Sequence, residues 1–193
     1  MPRPKEFDPE ALRHAVMLAF WEKGYAATSV SDLEERTGLD RRQLFRESKN
    51  KRELFVRALT DFAAISVERD LELLERRGGL ASIRRVLRQV AAQAGQEPGR
   101  FGCLVANTCR EPIAMSDPEI ARLVTQHLRK IEAAYGAALV RAAADGEIAG
   151  GTERQRRSSR HLLAIHMSLL LLVRAGESKA LLADVVEAAV SAL

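Results

Sequence analysis

The chain has 193 residues, 47% of them hydrophobic, 29% charged and 5% aromatic, with a formal net charge of +4. That length holds one or two ordinary domains, and the composition is that of a globular protein rather than a disordered or fibrous one. No run reaches the roughly 18 apolar residues of a membrane span; the nearest, residues 162–173, is short and interrupted by His166 and Ser168.

The N-terminus, Met1-Pro2-Arg3-Pro4-Lys5-Glu6, lacks the apolar core of a signal peptide, so a soluble, cytoplasmic protein is expected. Cys103 and Cys109 lie six residues apart. On a helix that is about 9 Å, beyond the ~7 Å reach of a disulfide, so two free thiols are expected.

The pattern along the chain is helical throughout, and no run shows sustained period-two alternation. Asp8-Pro9-Glu10 combines an N-cap, a proline at the first helical position and an acid at the positive end of the dipole. Leu12, Ala15, Val16, Ala19 and Phe20 form an i, i+3, i+4 stripe behind it, and Gly24 is a stop. Ser29 with Asp32 reads as a capping box for a second, short helix that buries Val30 and Leu33 and ends at Gly38. Asp40 with Gln43 caps a third helix carrying Leu44 and Phe45. Asn50 with Glu53 caps a fourth that runs through Leu54, Phe55, Ala58, Leu59 and Phe62 toward Gly78-Gly79, read as a domain boundary.

Beyond it the periodicity predicts a helix over residues 80–94 and another containing residues 103–113. Asp117-Pro118-Glu119 repeats the opening of the first helix and starts a long one to about Ala144. Residues 152–174 and 178–193 make two closing helices separated by Gly176.

Charge is unevenly spread. Residues 41–57 hold seven basic side chains (Arg41, Arg42, Arg46, Lys49, Lys51, Arg52, Arg57) against Glu47 and Glu53, a net +5 that leaves −1 for the rest of the chain. A concentrated basic stretch in a neutral background is the footprint of a phosphate-binding surface. The spacing over residues 28–46 is that of a helix-turn-helix: a short supporting helix, a glycine before a new N-cap, then a helix that buries Leu44 and leaves Arg41, Arg42, Gln43 and Arg46 for a major groove. Arginine can bond two acceptors of guanine, and glutamine two atoms of adenine.

Phe20-Trp21-Glu22-Lys23-Gly24-Tyr25, Thr28-Ser29-Val30, Gly38-Leu39, Leu44-Phe45 and Asn50-Lys51-Arg52-Glu53-Leu54-Phe55 together resemble the DNA-binding domain of the TetR family of bacterial transcriptional regulators. The resemblance covers about residues 8–59. It implies that Thr28 and Lys51 touch phosphates and that residues 40–46, Phe45 included, form the base-reading helix. The chain departs from the family pattern at Glu47 and Ser48, where an aromatic or histidine and a phenylalanine are usual.

Residues 162–173 are apolar on nearly every side, which calls for burial all round. Together with residues 180–193 they point to a dimer interface, with Leu163, Met167, Leu170, Leu181 and Val185 as its candidates. A four-helix interface of this kind is also what the resemblance implies. The segment Phe101-Gly102-Cys103-Leu104 is similar to one that borders the ligand cavity in a subgroup of the family, which makes Cys103, Leu104 and Asn107 candidates for a ligand pocket or a sensing thiol. His161 and His166 are about 140° apart on a helix and share no face for a metal. No nucleotide, metalloprotease or nucleophile motif is present.

The sequence thus reads as all-α. A three-helix DNA-binding domain over residues 1–60 is joined by a linking helix to a helical ligand-binding and dimerisation domain over residues 61–193. The expected function is that of a dimeric repressor, with double-stranded operator DNA and a small-molecule effector as partners and no catalytic residues, metal or cofactor. The alternatives are a DNA-binding regulator whose second domain only dimerises, and an all-helical enzyme.

Overall fold

The computed structural model describes residues 8–46, 48–75 and 78–193, without the side chain of Met115. Among them are ten α-helices and no strand: α1 (Pro9–Lys23), α2 (Val30–Thr37), α3 (Arg41–Leu44), α4 (Lys51–Glu75), α5 (Gly79–Ala91), α6 (Leu104–Thr108), α7 (Pro112–Ser116), α8 (Pro118–Ala144), α9 (Thr152–Ala175) and α10 (Lys179–Ser191). No described helix is long and apolar enough to cross a membrane.

Local chemistry sets most of the boundaries. Asp8 accepts from the Glu10 amide at 2.9 Å and Pro9 follows it, so α1 begins with its first free donor satisfied. Ser29 and Asp32 exchange hydrogen bonds in a full capping box at α2, and Asp40 and Gln43 do the same at α3. Between those two helices Gly38 takes φ +69°, the left-handed conformation that suits glycine, so the chain turns sharply from one to the other.

Helices α1 to α3 pack on the first turns of α4 around Phe20, Leu33, Leu44, Phe55 and Leu59, all essentially without exposure. Phe20 and Phe55 meet edge to face at 5.1 Å between centroids. With 25 residues, α4 extends about 38 Å and continues into the second half of the molecule, where α5 and α8 pack along it and α9 and α10 pack in turn on α5. The core is continuous across the two halves, because α4 belongs to both.

Two expectations are corrected. Gly78-Gly79 is not a boundary between the halves: Gly78 is the N-cap of α5 and Gly79 its first residue, packed on the backbone of Ala142 in α8. The helix expected over residues 103–113 is broken into α6 and α7. Proline at position 112 pushes Glu111 into extended backbone and cannot donate to a preceding turn, so it opens a new helix instead. That break releases the Glu111 side chain for a contact described below.

Gly79 supplies a test of the α5–α8 contact. A β-carbon there would overlap Ala142 backbone, so Gly79→Ala should destabilise the fold by about 1–3 kcal/mol despite alanine's better helix propensity. Urea denaturation is the readout, and an unchanged midpoint would show that the two helices can separate freely.

Candidate DNA-binding surface and the cavity beneath it

The basic residues of the third helix stand on the surface. Arg41, Arg42, Gln43 and Arg46 are exposed while Leu44 is buried beneath them, which leaves one face of α3 free to enter a groove. Among the described residues neither Arg42 nor Arg46 has an ion-pair partner. Arg41 lies over the half-buried ring of Phe45, 5.9 Å from its centroid. Gln43 is less free than its spacing implied, since its carbonyl oxygen accepts from the Asp40 amide at 3.0 Å. Its amide NH2 remains available to donate.

Lys51 sits in the first turn of α4, where free backbone amides favour an anion. Its ammonium lies 4.5 Å from the centre of the Tyr25 ring, and partial burial lowers its pKa. Asn50 caps this end by accepting from the Glu53 amide at 3.0 Å, and Glu53 reaches back to the amide of Lys49.

Thr28 requires a correction. It has no exposed surface, and its hydroxyl donates to the Gly24 carbonyl at 2.6 Å. A buried hydroxyl with an internal partner fastens the turn between α1 and α2 and has nothing to offer a phosphate. Ser48 is also buried, and Glu47 lies outside the described residues.

Four sets of contacts tie this surface to the C-terminal half. Arg174 of α9 donates to the carbonyls of Phe101 (2.8 Å) and Glu22 (3.2 Å), the latter one of the free acceptors at the end of α1. The Trp21 indole donates to the Gly102 carbonyl at 3.0 Å. Glu111 accepts from the amides of Tyr25 and Ala26 at 2.8 and 2.7 Å, in the turn that leads into α2. At the base of α4, Arg52 pairs with Asp117, the N-cap of α8, and with Glu119 at 2.8 Å. That guanidinium holds the Asp117 carboxyl down at about 2.

Enclosed between these ties is a cavity of about 80 Å3. Its apolar walls come from Met17 and Trp21 of α1, Phe62 of α4, Ile131 of α8 and Leu170 of α9. Its polar lining includes Ser66 and Arg69 and four groups that the sequence reading did not bring together: Asp70, Gln93, His127 and His166, each at least nine-tenths buried. The Tyr135 hydroxyl lies 2.9 Å from His166 Nδ1. With the hydroxyl donating, the imidazole proton sits on Nε2, which faces Asp70 Oδ2 at 3.7 Å. Gln93 Nε2 has no hydrogen-bond partner. A wider surface crease between α1 and α2 is bridged by the Lys23–Asp32 and Glu22–Arg36 pairs.

Of the three pocket candidates, Cys103 lines the cavity. Leu104 is buried outside its lining, and the Asn107 amide donates to the Phe101 carbonyl. Burial pushes the Cys103 thiol up to about 12, so at neutral pH it is a protonated hydrophobe and not a thiolate. Cys109 is exposed, and neither thiol is in a disulfide. One signal for the histidines was present in the sequence: His127 lies three and four residues from Val124 and Ile131, and His166 from Leu162 and Leu169, on buried stripes.

The interface candidates also divide. Leu170 faces the interior of its own chain at 4% exposure, which corrects its assignment to an intersubunit surface. Leu163, Met167 and Val185 are half-buried, and Leu181 is exposed. The outward stripe of α9 is Ala164, Ser168, Leu171 and Ala175, with Leu171 52% exposed.

A short helix with an exposed basic face, braced by a capped supporting helix at the end of a helical bundle, defines a helix-turn-helix DNA-binding protein. The family model described as bacterial regulatory proteins, tetR family, matches residues 12–58. The chain is 30% identical to the HTH-type transcriptional regulator YezE of Bacillus subtilis over the full length of both. It is 48% identical to the HTH-type transcriptional repressor ComR of Escherichia coli over 59 residues, 31% of this chain and 28% of ComR. In structure it resembles the TetR family regulator CifR, in a cysteine mutant complexed with operator DNA, with a TM-score of 0.86 at 21% identity over 98% of this chain and 99% of that one. The protein belongs to the TetR family; it is a DNA-binding transcriptional regulator, not an enzyme.

Arg42 and Lys51 should separate the two kinds of DNA contact. Arg42→Ala should cost about 1–3 kcal/mol on a selected operator and relax preference at one position. Lys51→Ala should weaken selected and random DNA alike and lower the salt slope by about one. Parallel losses for both variants on both duplexes would make Arg42 a phosphate contact.

The buried cluster makes stability depend on pH. Burial pushes His166 down to about 3 and His127 down to about 4, from 6.5. Below 6.5 the unfolded chain therefore binds protons that the folded chain does not. The stabilisation is complete above that pH and is lost as pH falls toward 4 and 3. Each histidine should lower stability by about 2 kcal/mol between pH 7 and pH 5. Asp70 opposes this, because burial raises its pKa and acid favours its folded, protonated form. Urea midpoints at the two pH values should therefore differ, and His166→Gln should narrow the difference. A gap unaltered by His166→Gln would mean that His166 is not kept neutral by the fold.

Proposed function

We propose that the protein is a ligand-responsive repressor that binds a near-palindromic operator as a homodimer. The observation that carries the ligand response is the cavity, because its walls belong to both halves of the molecule: Met17 and Trp21 on α1 of the DNA-binding half, Ile131 and Leu170 on the other. A molecule that binds there changes the seat of α1, and with it the angle at which α3 is presented. Such a molecule shifts operator binding only if it favours one of those angles over the other. The repressor role is supported by the name of ComR, and the operator by the CifR complex with a 26 bp duplex.

Dimerisation is supported by the outward stripe of α9 and by Leu181 on α10 beside it. Small residues and one leucine at i, i+4, i+7 and i+11 leave a flat apolar face that a second copy can cover. Two copies joined there carry two reading helices, which a palindromic site requires.

Two variants test the proposal. Leu171→Glu should give a folded monomer by sedimentation, with operator affinity reduced toward that for random DNA; a folded dimer would place the interface elsewhere. Ser66→Phe puts a ring into the cavity and should weaken operator binding at least about tenfold, or ~1.4 kcal/mol, with no ligand added. A folded Ser66→Phe protein with wild-type operator affinity would reduce the C-terminal half to a dimerisation module.

A further inference from the structure

Resting on that reading of the cavity, we infer that its ligand is a compact organic cation: an ammonium that takes the place of Arg69 on Asp70, with a neighbouring hydroxyl or carbonyl oxygen for Gln93. Size comes first. About 10–15 Å3 accommodates one water, so 80 Å3 holds about half a dozen non-hydrogen atoms.

Charge comes second. Asp70 is 97% buried, and the bonds it accepts fall on one oxygen: two guanidinium nitrogens of Arg69 reach Oδ1 at 3.2 Å, while Oδ2 faces His166 Nε2 at 3.7 Å, beyond hydrogen-bond distance. Arg69 is its sequence neighbour on α4, a spacing that does not bring two side chains onto one helix face. It reaches Asp70 from a position 41% exposed, so its guanidinium can return to water when an arriving ammonium takes over the carboxylate. A buried carboxylate whose second oxygen has no close donor gains from an ammonium that enters with it and can reach both oxygens. Anionic ligands are disfavoured by the same carboxylate: Arg69, the cation of the lining, is already paired with it, and the two histidines are neutral.

The remaining groups specify the rest of the molecule. Gln93 Nε2 is an unpaired donor in the lining, and leaving it so costs free energy that an acceptor oxygen recovers. Trp21 and Phe62, packed edge to face at 4.8 Å, supply aromatic surface for alkyl groups and for the cation. The entrance lies along α4, where Ile65 lines the cavity and is 59% exposed.

Four small probes of one shape separate these features: isopropanolamine has the ammonium and the hydroxyl, isobutylamine only the ammonium, sec-butanol only the hydroxyl, and lactate a carboxylate in place of the amine. Calorimetry and thermal melting of the full chain should show isopropanolamine binding in roughly the millimolar range and raising Tm. Isobutylamine should bind more weakly, and the other two least. Asp70→Asn should reduce isopropanolamine affinity at least about tenfold. Gln93→Leu should bring isopropanolamine and isobutylamine to equal affinity, a readout that stands even if the Asp70 variant fails to fold. Sec-butanol or lactate binding as well as isopropanolamine, or no probe binding, overturns the cation assignment. The effector reading falls separately, on the operator affinity of Ser66→Phe.

Discussion

The structure depends on how the end of α1 is finished. A helix leaves its last carbonyls and the amides beyond them without intrahelical partners, and here the C-terminal half of the chain supplies several. Arg174 donates to the Glu22 carbonyl, and Glu111 accepts from the amides of Tyr25 and Ala26 just past the Gly24 cap. The Trp21 indole closes the third side on the Gly102 carbonyl. These are fixed, directional contacts to backbone, so they set an angle as well as a distance. Because α2 and α3 follow directly from that turn, the orientation of α3 depends on residues more than 75 positions along the chain from the turn itself.

The same ties enclose the cavity. Asp70, Tyr135, His127 and His166 occupy space that leucines would fill with less desolvation, since a buried polar group is costly unless fully bonded. This cluster is only partly bonded: Arg69 holds one oxygen of the carboxylate, the other lies 3.7 Å from His166, and Gln93 Nε2 has no partner. Structural polar networks tend toward completion, and this one leaves a buried amide donor without an acceptor. The cluster lies beside α1, whose Met17 and Trp21 line the same cavity.

The motifs that were legible in the sequence are local ones. Asp8-Pro9, Ser29 with Asp32 and Asp40 with Gln43 bond within three residues of themselves, so their side chains and spacing determine the outcome whatever surrounds them. The basic face of α3 follows from the same logic once Leu44 is assigned to the core. The reading went astray where a position has two eligible roles. Thr28 carries a hydroxyl that suits a phosphate or a backbone carbonyl equally well, and its neighbours in space gave it the second. Leu170 lies in a stretch apolar on all sides, and periodicity cannot say which side meets its own chain. Residues 103–113 looked continuous because the stop lies in the pairing of Glu111 with Pro112, whose effect on backbone outweighed the apolar spacing.

By itself, then, the sequence determined the helices, their caps, the basic reading face and the family, since each rests on residues within a few turns of one another. Tertiary structure alone decided the polar cavity and the contacts that brace α1. Asp70, Gln93, His127 and His166 are spread over nearly a hundred residues, and each taken singly is an ordinary polar residue on a helix. Their pKa shifts, their missing partners and their shared space exist only after α4, α8 and α9 have packed, because desolvation and hydrogen-bond geometry are properties of the assembled interior rather than of any one segment.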